Sequence, residues 1–95
     1  MAIAVIGDTQ GGTAEQDEAI LQRLNVVDNP PAGVLARLAG PFEGGWRVIS
    51  VWESQEAWET FRRDRLEPAL QQVGWPEPAF EIWPLHSARI VPQRH

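Results

Sequence analysis

The sequence lacks three residue types on which many active sites depend: cysteine, lysine and tyrosine. Without cysteine, the chain has no disulfide framework, no thiolate nucleophile and no cysteine-based metal site. All eight basic residues are arginine, which excludes a lysine Schiff base and the phosphate-binding lysine of a P-loop. The side chains left for proton transfer are two histidines and thirteen carboxylates.

The chain also lacks a long apolar run and an excess of positive charge. No apolar run approaches the roughly 20 residues of a membrane span, and the opening segment MAIAVIGDTQ has no basic region of the signal-peptide kind. With a net charge of −5, the chain offers no basic surface to nucleic acid or to an anionic membrane. We therefore expect a cytoplasmic protein without nucleic-acid or membrane partners, folded as a single domain over residues 1–95.

Hydrophobic periodicity and turn residues predict the element order β-α-β-β-α-β. A helix is predicted over 13–25, where Thr13 and Gln16 fit a capping box, and a second helix begins after Ser54. Pro68 either kinks this second helix or starts a further short one. The predicted strands are 2–9, 34–41, 45–53 and 79–91. This order predicts an α+β class, with a ferredoxin-like antiparallel sheet and both helices on one face.

The predicted third strand is apolar on both of its faces. Val48 and Trp52 point to one side of the sheet, whereas Ile49 and Val51 point to the other. An antiparallel sheet with one solvated face should instead alternate apolar and polar residues. Because the helices cover only one face, we expect a second copy of the chain to cover the other, giving a homodimer through the sheet.

Three segments carry a resemblance to a known superfamily. They are GGT-EQ over 11–16, RV-S-VWES-EA-W--F over 47–61, and FEIWPLHS, which contains His86. Together with the element order, they resemble the dimeric α/β barrel superfamily, in particular the small antibiotic-biosynthesis-monooxygenase-like proteins. Relatives often carry an aspartate at the place of Ser50.

The resemblance implies a barrel and a ligand site. Two sheets would pair into an eight-stranded barrel with the helices outside, and small organic molecules would bind between each sheet and its helices. Activities in the superfamily include cofactor-independent oxidation of aromatic polyketides, isomerisation, cyclisation and haem degradation. The fold alone does not select among them.

Aromatic residues are the predicted ligand-binding groups. A buried indole N–H group usually has a hydrogen-bond partner. A flat organic ligand is best bound by a cleft that is lined with aromatic side chains and has few polar groups. The same side chains at strand and helix spacing also suit an ordinary core. The resemblance implies that a tryptophan at the place of Trp52 lines the pocket. We expect substrate contacts from Trp52, Trp58, Phe61, Trp75 and Ser50.

His86 and Asp8 are the predicted proton-transfer residues. Histidine is the residue type that ordinarily changes charge near neutral pH, which suits removal of a proton from a phenol or an acidic C–H, and His86 is the interior histidine. We expect its imidazole to reach the sheet–helix pocket. Asp8, at the end of the first strand, is the second candidate. The alternative without catalysis is that His86 makes a structural hydrogen bond and that Asp8 begins a turn.

The sequence favours a small aromatic or polyketide-like ligand and leaves the chemistry open. The protein is a cofactor-independent monooxygenase, isomerase or cyclase, or else a non-catalytic binding or structural dimer. No metal site is expected, because one interior histidine and no cysteine supply too few ligands. A haem protein is a further alternative, since one histidine suffices as an axial ligand.

Overall fold

The computed structural model describes residues 1–89 of the chain. The elements are β1 (Ile3–Gln10), α1 (Ala14–Leu24), β2 (Val34–Phe42), β3 (Gly45–Trp52), α2 (Gln55–Phe61), a π-helical turn (Arg62–Leu66), α3 (Glu67–Val73) and β4 (Ala79–Pro84). This order confirms the predicted βαββαβ arrangement. No helix among these residues is long and apolar enough to cross a bilayer.

The four strands form one antiparallel sheet in the order β2-β3-β1-β4. The sequence neighbours β2 and β3 pair directly, and β1 lies between β3 and β4, as the ferredoxin-like topology requires. Side chains alternate between the two faces of each strand. Ile3 and Val5 of β1 are buried under the helices together with Trp52 and Trp58. We call this helix-covered side the inner face and the opposite side the outer face.

The helices begin and end at the residues that the sequence predicts. The Thr13 side chain accepts from the Gln16 backbone, and the Gln16 side chain accepts from the Thr13 backbone, so the capping box is complete. Ser54 caps α2 in the same way through the Ala57 N–H. Gly74 ends α3 in the left-handed conformation, which favours glycine.

Pro68 lies in the first turn of α3, directly after the π-helical turn. Proline has no N–H, and its ring crowds the carbonyl four residues earlier, so a regular α-helix cannot pass through it unchanged. The chain widens instead, and the Glu67 N–H donates to the Arg62 carbonyl five residues before it. Of the two predicted roles of Pro68, the start of a further short helix is the one observed, with a π-helical turn joining that helix to α2.

The last strand is shorter than the predicted 79–91. It ends at Pro84 on the edge of the sheet, the position that a residue without an N–H favours. Pro84 pairs with Ile3, and the Leu85 N–H donates to the carbonyl of Ala2. The described pairing between β1 and β4 ends there. The strand prediction is therefore wrong from Leu85 to residue 89, and residues 90 and 91 lie outside the described part of the chain.

Candidate functional site

A cleft of about 270 Å³ lies between the inner face of the sheet and the helices. Its volume is slightly below the range of roughly 300–1,000 Å³ that is usual for small-molecule pockets. The sheet supplies Val5 and Gly7 from β1 and Val48 from β3. Because Gly7 has no side chain, the ring of Phe80 packs directly onto β1: a Cβ atom at Gly7 would lie 3.0 Å from that ring. Gly7 thus lets the ring of Phe80 lie close to the floor of the cleft.

Three aromatic side chains form one wall of the cleft. The ring centroid of Trp52 lies 5.7 Å from that of Trp58 and 5.1 Å from that of Phe61. The Phe80 ring meets Trp58 edge to face at 5.1 Å. These separations suit favourable aromatic pairs. Trp52 and Trp58 are almost fully buried, at 2% and 3% exposure, so the wall is held in place by the core.

Two hydroxyl groups in the cleft each accept a hydrogen bond from an indole N–H. The Trp52 Nε1 donates to Ser50 Oγ at 2.9 Å, two residues back on the same face of β3. The Trp75 Nε1, in the loop after α3, donates to Thr9 Oγ1 at 2.8 Å. Ser50, Thr9 and Trp75 are all buried. The loop tryptophan is thereby anchored to the inner face of β1.

Residues 1–89 therefore bring all five predicted ligand-binding residues to the same cleft. Its lining includes Ser50, Trp52, Trp58, Phe61 and Trp75. Their contact with a ligand stays a prediction. Sequence reasoning missed Thr9, although it lies at an odd-numbered position of β1 with the buried Ile3 and Val5, and this alternation could have revealed it.

An ion pair that the sequence analysis did not predict also lines the cleft. Asp17 of α1 is buried, and Arg37 of β2 donates to both of its carboxylate oxygens, at 2.5 Å from Nη2 and 3.4 Å from Nη1. The side chains of Asp17 and Arg37 are 8% and 30% exposed. A signal existed in the sequence, since Asp17 precedes Ile20 by three residues and Leu24 by seven, on the apolar stripe of α1.

A proline-containing loop closes one side of the cleft. Pro30 and Pro31 belong to the segment between α1 and β2, and both line the cleft. Arg65 holds this segment: its Nη2 donates to the carbonyl oxygens of Leu24 at 2.7 Å and Asn29 at 2.9 Å. The π-helical turn is therefore tied both to the end of α1 and to the loop that follows it.

The predicted proton-transfer residues do not reach the cleft. His86 lies exposed in the bend after β4 and outside the cleft lining, so the prediction that its imidazole reaches the pocket is wrong. Asp8 lies on the outer face, where Arg47 Nε donates to its Oδ1 at 2.6 Å and Nη2 donates to its Oδ2 at 2.8 Å. Asp8 therefore faces away from the cleft, and these hydrogen bonds from Arg47 lower the pKa of its carboxyl.

The cleft contains few groups able to hold a cofactor or a metal. Within residues 1–89, its lining includes no histidine, and therefore no imidazole to serve as an axial ligand of haem iron. The same part of the chain contains no group of three or more histidine, aspartate or glutamate side chains that could hold a metal ion. The charged groups of the described cleft lining are Asp17 and Arg37, which neutralise each other.

No family model matches the chain, and no curated protein matches it at a significant level. Solved structures do match. A proposed antibiotic biosynthesis monooxygenase from Caulobacter crescentus has a TM-score of 0.67 at 19% identity, over 93% of this chain and 91% of its own. SnoaB, a cofactor-independent oxygenase from Streptomyces nogalater, has a TM-score of 0.63 at 12% identity, over 92% and 94%.

A third similar structure is a protein of unknown function from Nitrosomonas europaea. Its TM-score is 0.68 at 16% identity, over 97% of this chain and 96% of its own. Identities this low establish a shared fold and not a shared activity. The chain has the ferredoxin-like fold of the antibiotic-biosynthesis-monooxygenase-like proteins.

Proposed function

We propose that the protein binds a small, planar, largely apolar aromatic molecule in the sheet–helix cleft. The observation that carries this proposal is the aromatic wall of Trp52, Trp58 and Phe61 beside about 270 Å³ of open space. Planar rings stack favourably on such a wall. The few polar groups at the cleft are the kind that orient a ligand within an apolar pocket.

Oxygenation of the bound molecule without a cofactor is the candidate chemistry. SnoaB, which has the same fold, is described as a cofactor-independent oxygenase. Oxidation of this kind starts with removal of a proton from the substrate, because the resulting anion gives up an electron more readily. Asp17 is the carboxylate that lines the described cleft, and Arg37 fixes its position. Isomerisation and cyclisation also need a positioned acid or base.

A binding protein without catalysis is the second candidate. It is favoured by the position of His86, which lies outside the described cleft lining. The absence of histidine from that lining also leaves the haem alternative without support. A cytoplasmic location stays a prediction from the sequence.

We also propose that the protein is a homodimer formed through the outer face of the sheet. Three large apolar side chains on this face are exposed: Leu38 at 59%, Phe42 at 39% and Trp83 at 54%. Ile49 and Val51 lie beside them on β3, half-buried. Contiguous exposed apolar surface of this kind marks interaction sites, and a two-fold dimer would bury the same patch on both copies.

Binding can be measured with 1-aminoanthracene, a planar fluorophore whose emission rises and shifts to shorter wavelength in an apolar site. We expect saturable enhancement with the unmodified protein. Val48→Phe places a ring into the cleft and should weaken the affinity at least tenfold, or about 1.4 kcal/mol. Val27→Phe is the matched control, because Val27 is 88% exposed and lies outside the cleft lining.

The folded state of both variants should first be verified by near-ultraviolet circular dichroism. Equal affinities in folded Val48→Phe and Val27→Phe would place the fluorophore outside the cleft. Absence of saturable binding by the unmodified protein would contradict the proposed function itself.

A further inference from the structure

We propose that the cleft selects aromatic ligands carrying an oxygen that accepts hydrogen bonds, as in an aryl ketone, a quinone or a phenolate. The hydroxyl groups of Ser50 and Thr9 would donate the hydrogen bonds that this oxygen accepts. The inference rests on the proposed function and deepens it, since it names the class of ligand that the same cleft takes.

The hydroxyl groups of Ser50 and Thr9 are both set up as donors. A hydroxyl has one proton to donate and two lone pairs that accept. An indole N–H already occupies one acceptor position on each, from Trp52 at 2.9 Å and from Trp75 at 2.8 Å. Among residues 1–89 neither hydroxyl donates its own proton to a protein group. A hydroxyl that accepts a hydrogen bond is polarised and becomes a stronger donor.

A third donor in the cleft lacks an acceptor. Trp58 lines the cleft at 3% exposure, and its Nε1 has no hydrogen-bond partner within residues 1–89. Buried donors without a partner are rare, because the lost hydrogen bond to water is not replaced. An indole N–H only donates. An oxygen on the ligand would supply the missing acceptor.

The carboxylate of the cleft already has a hydrogen-bond partner. Asp17 is the carboxylate of the described lining, and both of its oxygens accept from Arg37. The uncommitted polar groups of Ser50, Thr9 and Trp58 are therefore predominantly donors. A ligand without an accepting oxygen would leave them desolvated and unpaired. Sites that hydrogen-bond their ligand reject close analogues for this reason.

The two hydroxyl groups lie toward opposite ends of the cleft. Ser50 pairs with Val5 across the β1–β3 ladder, and Thr9 follows Val5 by four residues on the same face. At about 3.3 Å per residue this spacing is roughly 13 Å along the strand. A ligand of two fused rings therefore reaches one hydroxyl at a time, and single substitutions identify which one it uses.

Two naphthalenes of nearly identical shape test the proposal. In 2-acetylnaphthalene a carbonyl oxygen stands where 2-isopropenylnaphthalene has a CH₂ group, so the pair differs in one acceptor. Titration calorimetry should give the ketone an affinity about fivefold higher, the effect of one net hydrogen bond. Ser50→Ala or Thr9→Val should return this ratio to near one. Ser87→Ala is the matched control, because Ser87 is exposed and outside the described cleft lining.

The outcomes separate this inference from the proposed function. Equal affinities of the unmodified protein for the two naphthalenes would overturn the selection for oxygen and leave aromatic binding intact. Binding of neither compound would overturn both. A ratio unchanged in folded Ser50→Ala and Thr9→Val would overturn the role of the hydroxyls. Thr9→Ser, which keeps the hydroxyl, should keep the ratio if Thr9→Val loses it.

Discussion

Asp17 is a carboxylate on the otherwise apolar side of α1, where its burial requires a partner. Arg37 supplies that partner from β2 with two hydrogen bonds to the two carboxylate oxygens. Charged groups are rarely buried unless they are paired, and removal of one partner leaves the other uncompensated. The ion pair thus fixes a carboxylate at the wall of the cleft, the place where a proton acceptor would be needed.

If the protein is an oxygenase, Asp17→Asn should slow the reaction. Anthrone is a suitable probe: with one O₂ its CH₂ group becomes the second carbonyl of anthraquinone, and one water forms. We expect enzyme-dependent oxygen uptake with the unmodified protein, measured with an oxygen electrode and corrected for autoxidation. Loss of a positioned base lowers a rate by roughly 10²–10⁴-fold, and Asp17→Asn should show a fall of this size.

Asp28→Asn provides the matched control, because Asp28 is exposed in the loop after α1 and outside the described cleft lining. It should keep the unmodified rate. If Asp17→Asn binds 1-aminoanthracene normally and also keeps the full rate, Asp17 has no catalytic part. If the unmodified protein itself adds nothing to autoxidation, that result favours a binding protein without catalysis.

The positions of Asp8 and His86 explain why the sequence predicted the aromatic wall of the cleft better than the residues for proton transfer. Aromatic residues at strand and helix spacing pack together whatever the details of the ladder. The environment of a single titratable residue depends on strand register. Asp8 alternates with the buried residues of β1 and therefore lies on the outer face, which the strand pattern could have indicated. His86 follows the point where the β1–β4 ladder ends, and that end depends on pairing with a distant strand.

At the scale of elements, α1 is the helix that carries the charged group of the cleft. Its N-terminus is held by the capping box, in which Thr13 Oγ1 accepts from the Gln16 N–H at 3.2 Å. Thr13→Ala removes this bond and should destabilise the protein by about 1 kcal/mol. Urea unfolding followed by tryptophan fluorescence measures the difference through the midpoint at constant slope.

Thr60→Ala serves as the control for that measurement. Thr60 is exposed within α2, and alanine has the higher helix propensity, so this variant should be equal to or slightly more stable than the unmodified protein. A Thr13→Ala variant as stable as Thr60→Ala would mean that the capping box does not contribute to folding.

Most elements follow from local sequence, and the exceptions have tertiary causes. The capping residues Thr13 and Ser54 and the terminal Gly74 mark helix ends through bonds within one turn, so they can be predicted from the chain alone. The end of β4 cannot, because strand pairing stops where β1 begins at Ile3. The π-helical turn before Pro68 could be predicted only in part. The proline indicated that the helix is interrupted, but the sequence did not predict the geometry of the interruption.

At the scale of the whole molecule, the sheet separates two surfaces with different properties. The inner face carries the cleft and its aromatic wall. The outer face combines exposed apolar side chains with the Asp8–Arg47 ion pair, whose guanidinium lies 3.6 Å from the ring centroid of Phe42. A second copy would cover the apolar part of this face. The cleft is formed within one copy, so ligand binding and dimerisation can be tested separately.

Dimerisation through the outer face should respond to a charge placed at Leu38. In sedimentation velocity at micromolar concentration, we expect the unmodified protein to sediment as a dimer that buries more than roughly 1,200 Å² in total, the lower limit of specific interfaces. Leu38→Asp puts an unpaired carboxylate into the proposed interface and should shift the protein toward the monomer, because a buried charge without a partner is costly.

Val27→Asp adds the same charge to an 88% exposed loop residue and should remain dimeric. A monomeric unmodified protein, or a Leu38→Asp variant as fully dimeric as Val27→Asp, would contradict an interface on the outer face.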